Sequence, residues 1–555
     1  MNKKVCSFPI LFALLALLIG TCAVVFPASA QAAPTSTGSI TVSGTVARSY
    51  DAYQIFSANV VDGDNDAKIA TDLAWASDAV RDAALPVLHS AGMPNSQTTA
   101  QEAAEWLNTD SHLTSALSAR LARSLQSSGA VSVALNAGTT AELSCGYWLI
   151  VADDATISQD EAGTAPIMAL VGGSAITVKP KAATPKVAKH VLEDSTAAWQ
   201  KAADATVADD LYWRLSATVP AGLTAYDTYT VQFVDTMSAG LDPSKVAASM
   251  HVYVAAGADG GFDAVSTGKD GRAGTEPAKG WTDITAQCAT KVAADGTFTV
   301  RTGDLIAALG GADAFTAGAR VVAVYNAPLN SACNHGIAKG NPNEVYLRYP
   351  RSPFADQSGD AGFTSTPSDD ACAYTWDLAL TKRGSDGDKP LAGAVLSIAD
   401  DRGRTLSADG TWDAEGKATV TTGEDGRVTV SGVDSGKLEV RELKAPKGYT
   451  AFEGTRSVTV KAEGLDVDQV AAAKPKLTIT AESPLRADSA DGSTGSLEAS
   501  LINTPTGTPP SITTGGFMPS TGDMAMYAAA AAAVAGAALI VVALLVKRGG
   551  GSHKE

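Results

Sequence analysis

Short runs in which apolar and polar residues alternate recur along this 555-residue chain, with Gly- and Asp-rich turns between them. Tyr229-Thr230-Val231-Gln232-Phe233-Val234, Thr297-Phe298-Thr299-Val300 and Val345-Tyr346-Leu347-Arg348-Tyr349 are examples. A period of two sends every second side chain to one face of an extended strand, so each run reads as a half-buried strand. Short strands at regular spacing predict a mainly β protein built of stacked sheets, the sandwich solution. One stretch departs from the pattern. Leu113, Leu117, Leu121 and Leu125 recur at one-turn spacing, which predicts a helical insertion whose leucines join the core.

Composition shifts divide the chain. Strand-like runs at 40–42 and 147–151 flank the helical stretch, giving a first domain over 33–181. Pro180-Lys181-Ala182-Ala183-Thr184-Pro185 reads as a linker, and a β-rich second domain covers 182–351. A loop-like stretch, 352–370, leads to a third domain over 371–504, followed by a Pro/Thr/Gly stalk at 505–517. Some 490 residues between the two ends are too many for one core, so about three domains is the expectation. Asp62, Asp64 and Asp66 imitate a calcium loop, but Ala67 replaces the required Gly and Leu73 the bidentate Glu, so a solvated turn is expected and no metal site.

Both ends carry address signals. Two lysines within residues 1–4 precede an apolar run over 8–26 and the small residues Ala28, Ser29, Ala30 and Ala32, the order of a secretory signal peptide, 1–32, cleaved near Gln31 or Ala33. Residues 524–546 carry no charge and are long enough to cross a bilayer as a helix; Lys547 and Arg548 open the tail 547–555 and hold it in the cytoplasm. Immediately before that span stand Met518, Pro519, Ser520, Thr521 and Gly522. Motif, apolar span and basic tail in this order resemble the LPxTG cell-wall sorting signal, with Met in place of Leu. The resemblance implies a secreted protein that a sortase anchors covalently to peptidoglycan.

The net charge of −17, with no basic stripe, gives no reason to expect a nucleic-acid partner. Cys145, Cys288, Cys333 and Cys372 outlast the signal peptide; they allow three full pairings, of which a bond between Cys288 and Cys333, inside one domain, is preferred. The six histidines, at 89, 112, 190, 251, 335 and 553, are scattered without a nucleophile motif, so neither an enzyme nor a cofactor is expected.

The segment Leu438-Glu439-Val440-Arg441-Glu442-Leu443-Lys444-Ala445-Pro446-Lys447-Gly448-Tyr449 resembles the E-box of Gram-positive pilins and CnaB-type domains. Lys382, the Leu391-Ala392-Gly393-Ala394 turn and Asn503 also fall where such a domain has them. The resemblance implies tandem Ig-like sandwiches and an intramolecular isopeptide between Lys382 and Asn503, aided by Glu442. The chemistry follows from burial. A lysine attacks only as the neutral amine, and an apolar core lowers its pKa while raising that of an acid. Attack on the Asn503 carbonyl, polarised by a protonated Glu442, expels ammonia and leaves a neutral amide.

The second domain shows a similar set, by resemblance to the middle domain of pilus shaft subunits. Lys189 lies in an apolar-alternating first strand, Asp235 in a strand that otherwise reads as buried, and Asn343 at the start of a late strand, which is expected to neighbour the first. Asn341 and Lys186 are alternatives. In the first domain the only lysine before Val178 is Lys68, in a polar turn, so no isopeptide is expected there. Pro180-Lys181, at the first junction, looks like the pilin motif whose lysine receives the next subunit. Together these features resemble a sortase-assembled shaft pilin, with Thr521 of one copy joined to Lys181 of the next. Sortase, further copies of the chain and peptidoglycan are the implied partners, with accessory pilins and a host surface ligand beyond them. A monomeric wall-anchored adhesin is the alternative.

Overall fold

The computed structural model describes residues 37–507, except 45–47, 110, 159, 181–183, 222, 258–279, 316–317, 356 and 358. The signal peptide, Lys181, the stalk beyond 507, the sorting motif 518–522 and the apolar span 524–546 lie outside the described residues. Three tandem domains, each with its own principal apolar core, occupy the rest.

In the first domain the strand Ser49–Asp62 is central, pairing with Lys68–Trp75, Val133–Asn136 and Gly146–Ala152. A small second sheet places Thr37–Val42 between Thr140–Ser144 and Ile176–Val178. Three helices, Asp78–Ser90, Ala100–Asn108 and Ser115–Ser128, form the insertion. Leu117, Leu121 and Leu125 are buried as the one-turn spacing requires. Leu113 is not part of this stripe: the helix starts after Thr114, whose hydroxyl caps the Leu117 N–H, and Leu113, ahead of that cap, is 40% exposed. The Asp62 carboxylate is taken up by the Ser174 backbone N–H and by Lys68. Lys68 also donates to the carbonyl of Ser174 at 2.7 Å, and it opens a strand rather than a turn.

The middle domain is a two-sheet sandwich. One sheet runs in the order Ala198–Gln200, Lys186–Glu193, Tyr212–Val219, Ala319–Asn326, His251–Ala256, Thr282–Asp283. The facing sheet runs Ala202–Asp204, Asp369–Tyr374, Asn341–Pro350, Gln232–Met237, Thr297–Arg301, Ala289–Val292, with Phe363–Ser365 on the flank of Asn341–Pro350. Two sequence-based expectations change here. The strand of Asn343 packs against that of Lys189, as expected, but from the opposite sheet and not as its hydrogen-bonded partner in the same one. The stretch 352–370 is not a spacer either. Phe363–Ser365 and the start of Asp369–Tyr374 extend the middle domain's sheet, while Ser352 and Arg351 bond to Asp154 of the first domain. Its short strands, set among turns, lack the long alternation that marks a strand in sequence.

The expected Cys288–Cys333 disulfide is also absent, and both residues are thiols. Register gives the reason. Cys288 precedes Ala289, opposite Arg301 and so level with Gln232, whereas Cys333 packs beside Gly240, beyond Met237 at the other end of that strand. Cysteines at opposite ends of one sheet cannot bring their Cα atoms within the roughly 7 Å a disulfide needs.

The third domain is a second sandwich. Its first strand, Trp376–Gly384, runs parallel to its last, Ser496–Pro505, with Lys382 opposite Leu501 and Gly384 opposite Asn503. Gly436–Lys444 lies in the facing sheet between Val395–Ala399 and Thr455–Glu463.

Candidate functional site

Two constellations of lysine, acid and asparagine lie within these sandwich cores. In the third domain, strand alternation turns Lys382, Glu442 and Asn503 inward; the three residues are 1%, 6% and 2% exposed. Lys382 Nζ stands 3.6 Å from Glu442 Oε1 and donates to the Leu501 carbonyl at 3.2 Å. Asn503 Nδ2 donates to both carboxylate oxygens of Glu442, at 2.8 and 3.0 Å, and Oε2 also accepts the Phe452 N–H at 3.1 Å. Burial pushes the Lys382 amine down to about 8, against the pull of Glu442. Asn503 Oδ1 has no hydrogen-bond partner. Glu442 thus holds the amide nitrogen of Asn503, and the carbonyl oxygen that it was expected to polarise is left unbonded; Glu442 is the group that the amine and the amide share.

The middle domain repeats the arrangement with different parts. Lys189, Asp235 and Asn343 are each 0% exposed. Asp235 lies opposite Val345, two residues along from Asn343, so both project from one face of one sheet, and Lys189 meets them from the other. Lys189 Nζ pairs with Asp235 Oδ2 and donates to the Tyr325 hydroxyl at 2.9 Å. That hydroxyl donates to Asp235 Oδ2 at 3.1 Å and accepts from Asn343 Nδ2 at 2.9 Å. Asn343 Oδ1 and Asp235 Oδ1 are without partners. Burial lowers Lys189 to about 8 and raises Asp235 to about 6, which narrows the gap that a proton must cross from the amine to the acid while leaving the ion pair the favoured form. The rings of Trp213 and Tyr325 stand 5.6 and 5.5 Å from Nζ.

Of the alternatives, Asn341 is bound structurally: its amide exchanges hydrogen bonds with the Asn334 backbone and donates to the Ala373 carbonyl. Lys186 is exposed at the start of its strand. Tyr325 was not visible from the sequence, where it is one aromatic residue among the valines of a buried strand. Lys201 is another such residue; its Nζ grips the Lys189 carbonyl at 2.9 Å and pairs with Asp369, which accepts the Lys189 N–H at 2.6 Å.

Tandem sandwiches, two of them with a lysine, an acid and an asparagine buried together in the core, are what this chain presents. Residues 377–474 match the model of the SpaA prealbumin-like fold domain. Over 143 residues the chain is 30% identical to the trypsin-resistant surface T6 protein of Streptococcus pyogenes serotype M6. That match takes in 24% of this chain and 24% of the relative, so the chain covers about a quarter of the relative's length. Among solved structures, the T6 backbone pilin of serotype M6 Streptococcus pyogenes is similar at 17% identity and a TM-score of 0.47, over 86% of this chain and 100% of that one. The full-length major pilin SpaD of Corynebacterium diphtheriae is similar at 15% identity and a TM-score of 0.43, over 87% and 100%.

Proposed function

We propose that this chain is the structural subunit of a covalently polymerised, cell-wall-anchored pilus shaft, stiffened by self-made isopeptide bonds. The observation that carries the reading is the pair of buried triads, because burying a lysine, an acid and an unbonded amide carbonyl costs stability unless the groups react. In each core the acid takes a proton from the lysine, the neutral amine attacks the asparagine carbonyl, and ammonia leaves. The products are Lys189–Asn343 and Lys382–Asn503 amides. The first staples the two sheets of the middle domain; the second ties the first strand of the third domain to the last. Closing a loop the length of 382–503 constrains the unfolded chain as a disulfide does, worth about 4–5 kcal/mol.

The sequence supplies the rest of the proposal. A sortase cuts between Thr521 and Gly522, holds the Thr521 carbonyl as a thioester and passes it to Lys181 of another copy. One head-to-tail contact that does not close on itself gives a filament. Its terminal subunit passes to peptidoglycan. The chain acts as a building part and turns over no substrate; its own cross-linking happens once. The test is a denaturing immunoblot of enzymatically released cell wall from wild type and Lys181→Ala. A high-mass ladder in wild type that collapses to monomer in the variant is expected. A monomer-sized band in both would instead leave a wall-anchored adhesin.

A further inference from the structure

We propose that Tyr325 is a catalytic residue of the middle-domain cross-linking reaction, its hydroxyl carrying a proton from the attacking Lys189 nitrogen to the departing Asn343 nitrogen. The proposal rests on the cross-linking reading above and assigns within it a step that the acid alone does not reach. In the third domain one carboxylate spans both nitrogens: Glu442 lies 3.6 Å from Lys382 Nζ and holds Asn503 Nδ2 at 2.8 and 3.0 Å. Asp235 is one methylene shorter. Its Oδ2 is engaged by Lys189 and Tyr325, its Oδ1 has no partner, and Asn343 Nδ2 bonds to the tyrosine hydroxyl in place of the acid. The hydroxyl is thus 2.9 Å from the nucleophilic nitrogen and 2.9 Å from the leaving nitrogen.

The hydroxyl is held in place. Its strand, Ala319–Asn326, is paired on both sides, and the ring packs edge-on against Phe298 with centroids 4.8 Å apart. Burial raises the phenol well above its ordinary value, so it works as a neutral donor and acceptor and not as a phenolate.

The steps balance. Asp235 takes one proton from the Lys189 ammonium, giving a neutral amine and a neutral acid. The amine lone pair attacks the Asn343 amide carbon, and electrons move onto Oδ1. As the tetrahedral centre collapses, the new C–N bond nitrogen gives a proton to the Tyr325 oxygen while the Tyr325 proton passes to Nδ2. Ammonia departs, and the amide, the neutral Asp235 and an unchanged tyrosine remain. A positioned proton relay of this kind contributes about 100- to 10,000-fold in rate.

The test compares full-length wild type, Tyr325→Phe and Asn343→Ala by peptide mass mapping over time after synthesis, together with thermal melting. Asn343→Ala gives the signature of a folded middle domain that cannot cross-link, and the Lys382–Asn503 bond in the same molecules is an internal control. The expected result is a wild type with both bonds, and a Tyr325→Phe protein that forms the Lys189–Asn343 bond at least about 100-fold more slowly while melting like Asn343→Ala. A Tyr325→Phe protein that cross-links as fast as wild type would overturn the relay, as would one that melts well below Asn343→Ala, which would make the tyrosine a packing residue. A wild type without the Lys189–Asn343 bond would overturn the underlying cross-linking reading instead.

Discussion

Lys189 shows how one residue can be unfavourable in a core until it reacts. Before cross-linking it brings an amine lowered to about 8 into contact with an acid raised to about 6. Asn343→Ala freezes this state, and its pH dependence follows from the two groups together. Asp235 sits above its unfolded value, so the stability it contributes is fully present below pH 4 and is lost as pH rises through about 6. Lys189 sits below its unfolded value, so the unfolded chain binds the extra proton between about 8 and 10.5 and stability climbs again across that window. The middle domain of Asn343→Ala is therefore least stable between pH 6 and 8, each limb amounting to about 1.4 kcal/mol for every tenfold difference in proton affinity between the folded and unfolded chain. Urea denaturation from pH 4 to pH 10.5 checks this. In the cross-linked domain the amide does not titrate and the alkaline limb is lost; a flat profile in the variant would mean the pair is not held as described.

At the scale of strands, the third-domain site was legible because its residues sit inside a recognisable local pattern. Glu442 lies in the segment 438–449, and Lys382 and Asn503 open and close the domain. The middle-domain triad was legible as residues but not as geometry: alternation marks Lys189, Asp235 and Asn343 as inward-facing, yet it does not say which sheet each strand joins. Tyr325 escaped because an aromatic residue in a buried strand is ordinary, and only the three-dimensional meeting of its hydroxyl with Lys189, Asp235 and Asn343 marks it out. The Cys288–Cys333 pairing failed for a related reason, since membership of one domain says nothing about register. Its consequence is measurable. Cys288→Ser and Cys333→Ser should leave the melting temperature the same under reducing and non-reducing conditions, because neither removes a covalent link. Thiol labelling of the unfolded chain with peptide mapping should find both Cys288 and Cys333 as free thiols. A wild-type melting temperature that falls on reduction, with no such fall in either Ser variant, would restore the bond.

At the scale of the whole molecule, the joint between the middle and third domains is built from carboxylates. Asp204, at the end of Ala202–Asp204, accepts the Trp376 indole N–H at 2.6 Å and the Ser435 N–H at 3.0 Å, so a strand of one domain is tied to two residues of the next. Glu193, Asp194 and Asp434 crowd around it. On the outer side Arg402 faces Asp194 at 3.5 Å and Asp209 at 3.0 Å, Arg404 links Asp209 with Asp400, and Asp401 adds a further charge near Asp194. Burial, aided by the neighbouring carboxylates, raises Glu193 to about 7 and Asp434 well above its ordinary value; burial also raises Asp194, although Arg402 opposes it. Acids raised in the folded state hold protons that the unfolded or separated domains release, so the stability they contribute is fully present below about pH 4.5 and declines as pH rises through about 7. The joint should therefore stiffen in acid while both sandwiches stay folded. Hydrogen exchange at the 202–204 and 433–438 backbone amides should be slower, after correction for intrinsic rates, at pH 5 than at pH 8, and Asp434→Asn should flatten that difference. In the filament proposed above this placement would matter, because amides inside the middle and third domains would leave the joint between them as the part that can still bend. Equal protection at both pH values would mean that the carboxylates share no protons and that Trp376, packed at the joint, sets its stiffness by itself.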